Sequence, residues 1–214
     1  MTGRLISVNL GVRVVTGYAD GPGGQTGIDK RPTDARVRVS PAGVQGDYIG
    51  NRRVHGDPDQ AVYAYAREDA AWWAGELDRE IGPGRFGENL STEGLDLTGA
   101  VIGERWSVGT AVLEVTSPRI PCMTFTGFWD VPDLIKRFTA HGASGAYLRV
   151  IREGDVGAGD AVEVISRPAH GVTIGETFRA LTGESALLPR LLDAEQLPAD
   201  TLRRVRRRVA ATKR

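Results

Sequence analysis

Apolar and polar positions alternate along most of this chain in short runs, the period expected of strands. Residues 4–10 predict a first strand, with Leu5, Ile6 and Val8 apolar. Residues 35–40 predict another, Val37 and Val39 inward and Arg36 and Arg38 outward, stopped by Pro41-Ala42-Gly43. Residues 61–65 read as a buried strand, and residues 86–90 and 103–109 as two loop-and-strand units. Residues 112–116 alternate again, and Pro118 ends that strand because proline cannot donate a ladder hydrogen bond. The last strands are residues 145–151 and 161–165, separated by a turn over 153–160. Helical spacing interrupts this rhythm twice. Residues 67–79 take bulk from Trp72, Trp73 and Leu77 and end at Ile81-Gly82-Pro83-Gly84; residues 131–139 carry Leu134, Ile135 and Phe138. The fold expected is mainly β with two inserted helices, a barrel or sandwich. With no βαβ rhythm evident, a doubly wound sheet is not expected.

The pattern changes after Pro168. Residues 173–181, 184–192 and 198–211 each look helical, separated by Thr182-Gly183 and Leu197-Pro198. Leu202, Val205 and Val209 give the last helix an apolar stripe. The chain is therefore divided into residues 1–167, a β-barrel domain, and residues 168–214, a small C-terminal three-helix domain. About 45 residues make a weak core alone, so the tail is expected to dock on the barrel or on a second subunit. Its apolar faces make a homodimer the expected assembly.

Composition adds three constraints. Residues 16–34 hold seven Gly or Pro and little periodicity, which predicts a long loop carrying Lys30; loops of that length are usually functional or disordered. Cys122 is the only cysteine, which excludes an internal disulfide and fits a reducing compartment. The first residues lack a signal-peptide apolar core and no apolar run has membrane-spanning length, so a soluble, cytoplasmic protein without a membrane partner is expected. The formal net charge is zero, but Arg203, Arg204, Arg206, Arg207, Arg208, Lys213 and Arg214 form a basic run at the C-terminus. One such helix without interleaved aromatics reads as a solvated face rather than a nucleic-acid site.

The candidate chemistry centres on Ser117-Pro118-Arg119-Ile120-Pro121-Cys122. Two prolines predict a stiff, non-helical loop presenting one thiol at a strand end. Arg119 three residues away favours the thiolate, the form that binds metals and attacks electrophiles. A lone cysteine is otherwise most often a small buried hydrophobe. His55, His141 and His170 have no metal-ligand spacing among them, so a tetrahedral zinc site is unsupported. His141 and His170 read as structural or surface residues. His55, in a Gly- and Asp-rich turn before a buried strand, is balanced between structure and ligand contact. Asn89 offers donors and acceptors, or a turn-stabilising amide; Glu88 is either a buried acceptor or exposed. Neither a nucleophile elbow nor a phosphate loop is present, and Gly21-Pro22-Gly23-Gly24 lacks the strand–helix frame of a dinucleotide fingerprint.

Taken in order, Gly46-Asp47, His55-Gly56, Ala61-Val62-Tyr63-Ala64-Tyr65-Ala66, Phe86-Gly87-Glu88-Asn89-Leu90, Ile102-Gly103-Glu104-Arg105-Trp106 and Pro118-Arg119-Ile120-Pro121-Cys122 resemble the MOSC domain, the C-terminal domain type of molybdenum cofactor sulfurases. The resemblance runs from about residue 1 to residue 166, and the three-helix tail is similar to that of the YiiM-type branch. It implies a β-barrel and a molybdenum cofactor whose metal is ligated by a catalytic Cys122. Lys30, Gly46, His55, Gly56, Asn89 and Arg119 would help hold the pterin and its phosphate. The implied activity is reduction of N-hydroxylated compounds such as hydroxylamino purines, a detoxification of altered bases, with electrons from a separate reductase. The alternatives are a sulfur carrier holding a Cys122 persulfide, and a non-catalytic cofactor carrier. Asp57 and Gln60 stand where the family often has Gly and Lys, which bears on anion binding in that loop. Pyridoxal phosphate, associated with larger sulfurases, is not expected, because the chain lacks their aminotransferase-like domain and has only Lys30, Lys136 and Lys213.

Overall fold

The structure, a computed structural model, describes residues 2–212; Met1 and the last two members of the basic run, Lys213 and Arg214, lie outside the described residues. Among the described residues eight strands build the main sheet. They are β1 (Thr2–Gly11), β2 (Lys30–Thr33), β3 (Val62–Ala66), β4 (Leu90–Glu93), β5 (Arg105–Val108), β6 (Ala111–Pro118), β7 (Ala146–Arg152) and β8 (Ala161–Ser166). The order is β8-β5-β6-β7-β3-β4-β1-β2, and β8 also pairs with β1, closing seven strands into a barrel. Closure removes the free edges that an open sheet would expose. Long β1 makes it possible: Gly3 meets Val162 of β8, Leu5 meets Thr92 of β4, and Gly11 meets Lys30 of β2. No helix among the described residues is long and apolar enough to cross a membrane.

Four expectations are corrected here. The segment 16–34 is not one long loop. Val14–Val15 pairs with Gln25–Thr26 as a small hairpin, and Lys30 lies on β2. The turn 153–160 contains a short strand, Gly154–Val156, which pairs with Val37–Ser40. One βαβ unit exists after all: β3, the helix Arg67–Leu77 and β4, with Ala64 opposite Leu90 in parallel. And β6 does not alternate in exposure, being buried along its whole length. Its inward-pointing Leu113 and Val115 sit in the core, while Glu114 on the other face is covered by ion pairs to Arg105 at 2.8 Å and Arg149 at 3.7 Å.

Among the described residues six α-helices decorate the barrel: α1 (Arg52–His55), α2 (Arg67–Leu77), α3 (Met123–Trp129), α4 (Leu134–His141), α5 (Ile174–Thr182) and α6 (Ala199–Thr212). Most of the buried aromatic residues collect in a cluster apart from the main core, which keeps Trp106. Tyr63, Tyr65, Trp73, Phe86, Phe125 and Trp129 form a second core with Phe138 and Phe178. Tyr65 stacks on Phe86 at 4.2 Å between ring centroids, and Phe86 meets Trp129 at 4.9 Å. Such pairs add to the area they bury and fix ring orientation. Trp72 is exposed; it stacks on His141 at 3.7 Å and meets Trp73 edge-on at 5.0 Å.

The tail joins the barrel through one continuous core containing Val172, Ile174, Leu191, Leu202 and Val205. Thr173 bridges to Val101, caps α5 by accepting from the Glu176 N–H at 3.1 Å, and Phe178 reaches Phe138 in the aromatic core. The middle segment, Ser185–Asp193, is a 3-10 helix rather than an α-helix. Pro189 inside it has no N–H for an α-type bond, so the tighter winding costs less there.

Candidate functional site

A cleft opens where four irregular segments meet above the aromatic core: the hairpin region 12–29, the segment 47–60 with α1, the loop 84–89, and the turn from β6 into α3. Its walls include Cys122, Arg119, His55, Lys30 and Asn89, five of the seven residues that the sequence singles out. Gly46 and Gly56 lie outside the walls. Gly46 has φ +84° and turns the chain into Asp47. Gly56 packs against the Arg52 carbonyl at the end of α1, where a Cβ would collide.

Cys122 is partly exposed and free. Pro118 ends β6, as the sequence predicts, but the residues after Cys122 coil at once into α3, with the Thr126 N–H bonded to the Cys122 carbonyl at 3.1 Å. The thiol therefore sits on a strand–helix junction rather than in an open loop. Phe125 and Trp129 anchor that helix in the aromatic core, and Cys122 packs at its edge. Thr124 ties it to the facing hairpin, donating to Asp20 Oδ1 at 2.9 Å and accepting from the Asp20 N–H at 3.2 Å.

Arg119 is buried, its guanidinium 4.0 Å above the Phe125 ring and 6.0 Å from Phe138. Its Nη1 has no hydrogen-bond partner among the described residues. A buried cationic donor without an acceptor is costly, and it is the group here most in need of an anionic ligand. Its field reaches its neighbours. Burial, and then Arg119, hold His55 below the ordinary histidine range, so the imidazole is neutral at pH 7. Burial raises the Tyr147 phenol, against an opposing pull from Arg119, so Tyr147 stands as a neutral donor on the same wall.

Lys30 and Asn89 face a different neighbour from the one expected. Lys30 Nζ is held by Asp47 Oδ1 at 2.5 Å and Oδ2 at 2.6 Å, and both side chains are nearly buried. Asp47 also accepts from the Gly11 N–H at 2.7 Å and from Asn89 Nδ2 at 3.0 Å. Asn89 further donates to the Asn9 carbonyl at 3.3 Å and accepts from the Tyr63 N–H at 3.2 Å. The two residues thus form a neutralised internal network that braces β1, β2 and β3 beneath the cleft. Glu88 is a buried acceptor, bonded by the Gly84 N–H at 2.6 Å, the Phe86 N–H at 2.9 Å and Ser91 Oγ at 2.7 Å; it sets the curve of the loop 84–89. The sequence reading missed Asp20, Tyr63 and Tyr147 as wall residues. Tyr63 and Tyr147 carried a signal, by their strand positions; Asp20 reaches the site only because the hairpin folds over α3.

His141 and His170 lie away from the cleft. His141 stacks on Trp72, and His170 Nδ1 accepts from the Val172 N–H at 3.0 Å.

A closed barrel of this topology defines a class, and the comparison with known families agrees. Residues 51–163 match the MOSC domain, and the chain belongs to that family. It is 34% identical over 170 residues to the uncharacterized protein YflK of Bacillus subtilis, covering 79% of this chain and 76% of that one. It is 30% identical over 179 residues to a protein named Reductase from Gibberella moniliformis, covering 82% of this chain but 32% of that longer one. The crystal structure of YiiM from Geobacillus stearothermophilus superposes with a TM-score of 0.80 at 25% identity, over 96% of this chain and 98% of the other, tail included.

Proposed function

We propose that the cleft binds a molybdenum cofactor and that the protein uses it to reduce N-hydroxylated compounds to amines. One observation carries the reading: a partly exposed thiol shares a cleft with a buried guanidinium whose Nη1 lacks an acceptor among the described residues. That pair fits the group on chemical grounds, a soft thiolate for the metal and a charged donor for the anionic part of the pterin. Family membership supports the same assignment, and the relative named Reductase supports the reaction type. When bound, the cofactor supplies the redox centre for cleaving the N–O bond.

The chain's own residues have separate tasks. Cys122 would hold the metal and Arg119 the anionic pterin. Phe125 stacks on Arg119 and limits its rotation. His55 and Tyr147, both neutral at pH 7, offer hydrogen bonds to a polar substrate without adding charge. The aromatic core behind them keeps bulk water from the floor.

The test is metal content. The protein and its Cys122→Ala and Arg119→Met variants are produced in a host that makes the cofactor, and molybdenum is measured by elemental mass spectrometry. We expect near-stoichiometric metal in the parent, none in Cys122→Ala, and a loss of at least about tenfold in cofactor affinity for Arg119→Met. Full metal in Cys122→Ala overturns the reading. No metal in any of them, with Cys122 one sulfur atom heavier by intact mass, makes the protein a sulfur carrier. Bound metal with no turnover under any reductant makes it a cofactor carrier.

A further inference from the structure

The cleft walls carry the hydroxyls of Thr26, Tyr48, Tyr63, Thr124 and Tyr147. The first four are engaged inside the fold. Tyr48 donates to Gln25 Oε1, Tyr63 to the Ser144 carbonyl at 2.9 Å, and Thr124 to Asp20 Oδ1 at 2.9 Å. Thr26 accepts from the Ile28 N–H of its own turn at 3.1 Å. The Tyr147 hydroxyl makes no hydrogen bond among the described residues; only its backbone carbonyl is engaged, by Thr116 Oγ1 at 3.0 Å. A tyrosine packed into a protein usually finds its hydroxyl a partner. This one is open to whatever enters the cleft.

The fold fixes where that hydroxyl stands. Tyr147 lies on β7 opposite Ser117, the last residue but one of β6, which leads to Arg119 and Cys122. The β6–β7 register shifts between Val115 and Ser117, and Thr116 at that shift ties its Oγ1 to the Tyr147 carbonyl. Irregularities of this kind beside a site re-aim side chains. On its other side Tyr147 pairs with Tyr63 of β3, their ring centroids 5.1 Å apart. Its neighbour Leu148 points into the main core, so Tyr147 points the other way, onto the cleft wall. The titratable groups around the phenol are Arg119, Cys122 and Tyr63.

Reduction of an N–OH compound to N–H consumes two electrons and two protons and releases water. The nitrogen is the harder atom to protonate in time, because the anion it would otherwise become is a much stronger base than hydroxide. The other wall groups have no proton ready for it. Lys30 is held by both Asp47 oxygens, Asp20 accepts from Thr124, and His55 is neutral at pH 7. Arg119 does not deprotonate in a protein. A phenol keeps its proton at neutral pH and yields it to so strong a base. We infer that Tyr147 is a catalytic residue, whose hydroxyl bonds the nitrogen of the N–OH group and passes its proton there as the N–O bond breaks. The inference rests on the reductase reading of the same cleft. A reduced one-electron carrier supplies the two electrons, the oxygen takes its proton from solvent and leaves as water, and the phenolate regains its proton from solvent. In between, the Arg119 charge on the same wall favours the phenolate. Charge grows on the nitrogen only as the bond breaks, so the contact is stronger in the transition state than in the bound substrate.

The experiment compares the parent with Tyr147→Phe, which keeps the ring and removes only the oxygen. Both are produced in a host that makes the cofactor and driven by dithionite-reduced methyl viologen. The substrates are N-hydroxyaniline, whose amine is a very weak N–H acid, and N-hydroxybenzenesulfonamide, whose sulfonamide is a much stronger one. The kcat on N-hydroxyaniline should fall about 100-fold or more with KM nearly unchanged. The loss on the sulfonamide should be about tenfold or less, because its nitrogen needs less help. Three readings taken without turnover should not move: molybdenum content, the Kd for N-hydroxyaniline without reductant, and the urea midpoint. Tyr63→Phe, which removes the bond to Ser144, should lower that midpoint. Unchanged kcat in Tyr147→Phe overturns the inference. Equal losses on both substrates also overturn it, as does a loss of molybdenum or of substrate affinity that matches the loss of kcat. A parent that holds no metal, or that reduces neither substrate when loaded, overturns the reductase reading itself and this assignment with it.

Discussion

At the scale of single residues, the cleft divides into groups that satisfy one another and groups that do not. Lys30, Asp47 and Asn89 close on themselves, and Glu88 accepts from three donors, two in its own loop and Ser91 on β4. Arg119 remains open. The family resemblance marks Lys30 and Arg119 alike as cations that would hold the pterin and its phosphate, and nothing in the sequence distinguishes the neutralised one from the open one. That difference comes from Asp47, 17 residues from Lys30 and on a separate segment. Asp69, in the first turn of α2, is a residue-scale cost of the fold. Burial first, then Glu68 and Asp96, raise its pKa from the ordinary 3.8 to about 6. Between these values the folded protein holds a proton that the unfolded chain has released. The contribution therefore favours the fold at low pH and is lost as pH rises through about 6. Asp69→Asn is expected to stabilise the protein by about 2 kcal/mol near pH 7 and to add nothing near pH 4, measured as urea midpoints across that range.

At the scale of elements, strands are legible and the site helix is not. The strands β1, β3, β6, β7 and β8 stand within a residue or two of where alternation predicts them. The helix α3 is invisible in the sequence, because Thr124, Phe125, Thr126, Gly127, Phe128 and Trp129 are all middling or poor helix formers. It forms because its aromatic side chains find a ready-made core. Gly127 explains its odd composition. A Cβ there would lie 2.5 Å from Tyr18 Cγ, so the glycine lets the hairpin region close over the helix. Gly127→Ala would raise the stability of an ordinary exposed helix by about 1 kcal/mol. Here it should cost about 1–3 kcal/mol through displaced Tyr18. Proteolytic cleavage within residues 12–24 should speed up as the Asp20–Thr124 bonds loosen. Unchanged cleavage would show that the hairpin is not held by this contact.

At the scale of the whole molecule, barrel and tail share one core. Phe178 is fully buried and touches Phe138, while Ile174, Leu191 and Leu202 pack with strand residues such as Leu113 and Trp106. Phe178→Ala should cost about 3–5 kcal/mol and leave a single cooperative transition, with near-ultraviolet signals from barrel and tail moving together. Two separate transitions would show that the tail folds by itself. This joint core also bounds what the sequence determined alone. Period-2 alternation, glycine turns and the break after Pro168 suffice for a mainly β body with a helical tail, because each is a local property of a short segment. The single thiol in its proline frame is local too, and so is its place at a strand end. Barrel closure, the one parallel pair β3–β4 and the helix after Cys122 depend on contacts between residues far apart in the chain. So does the pairing of Lys30 with Asp47. Which charges are cancelled and which face outward is a property of distances between segments, and those distances exist only once the chain has folded.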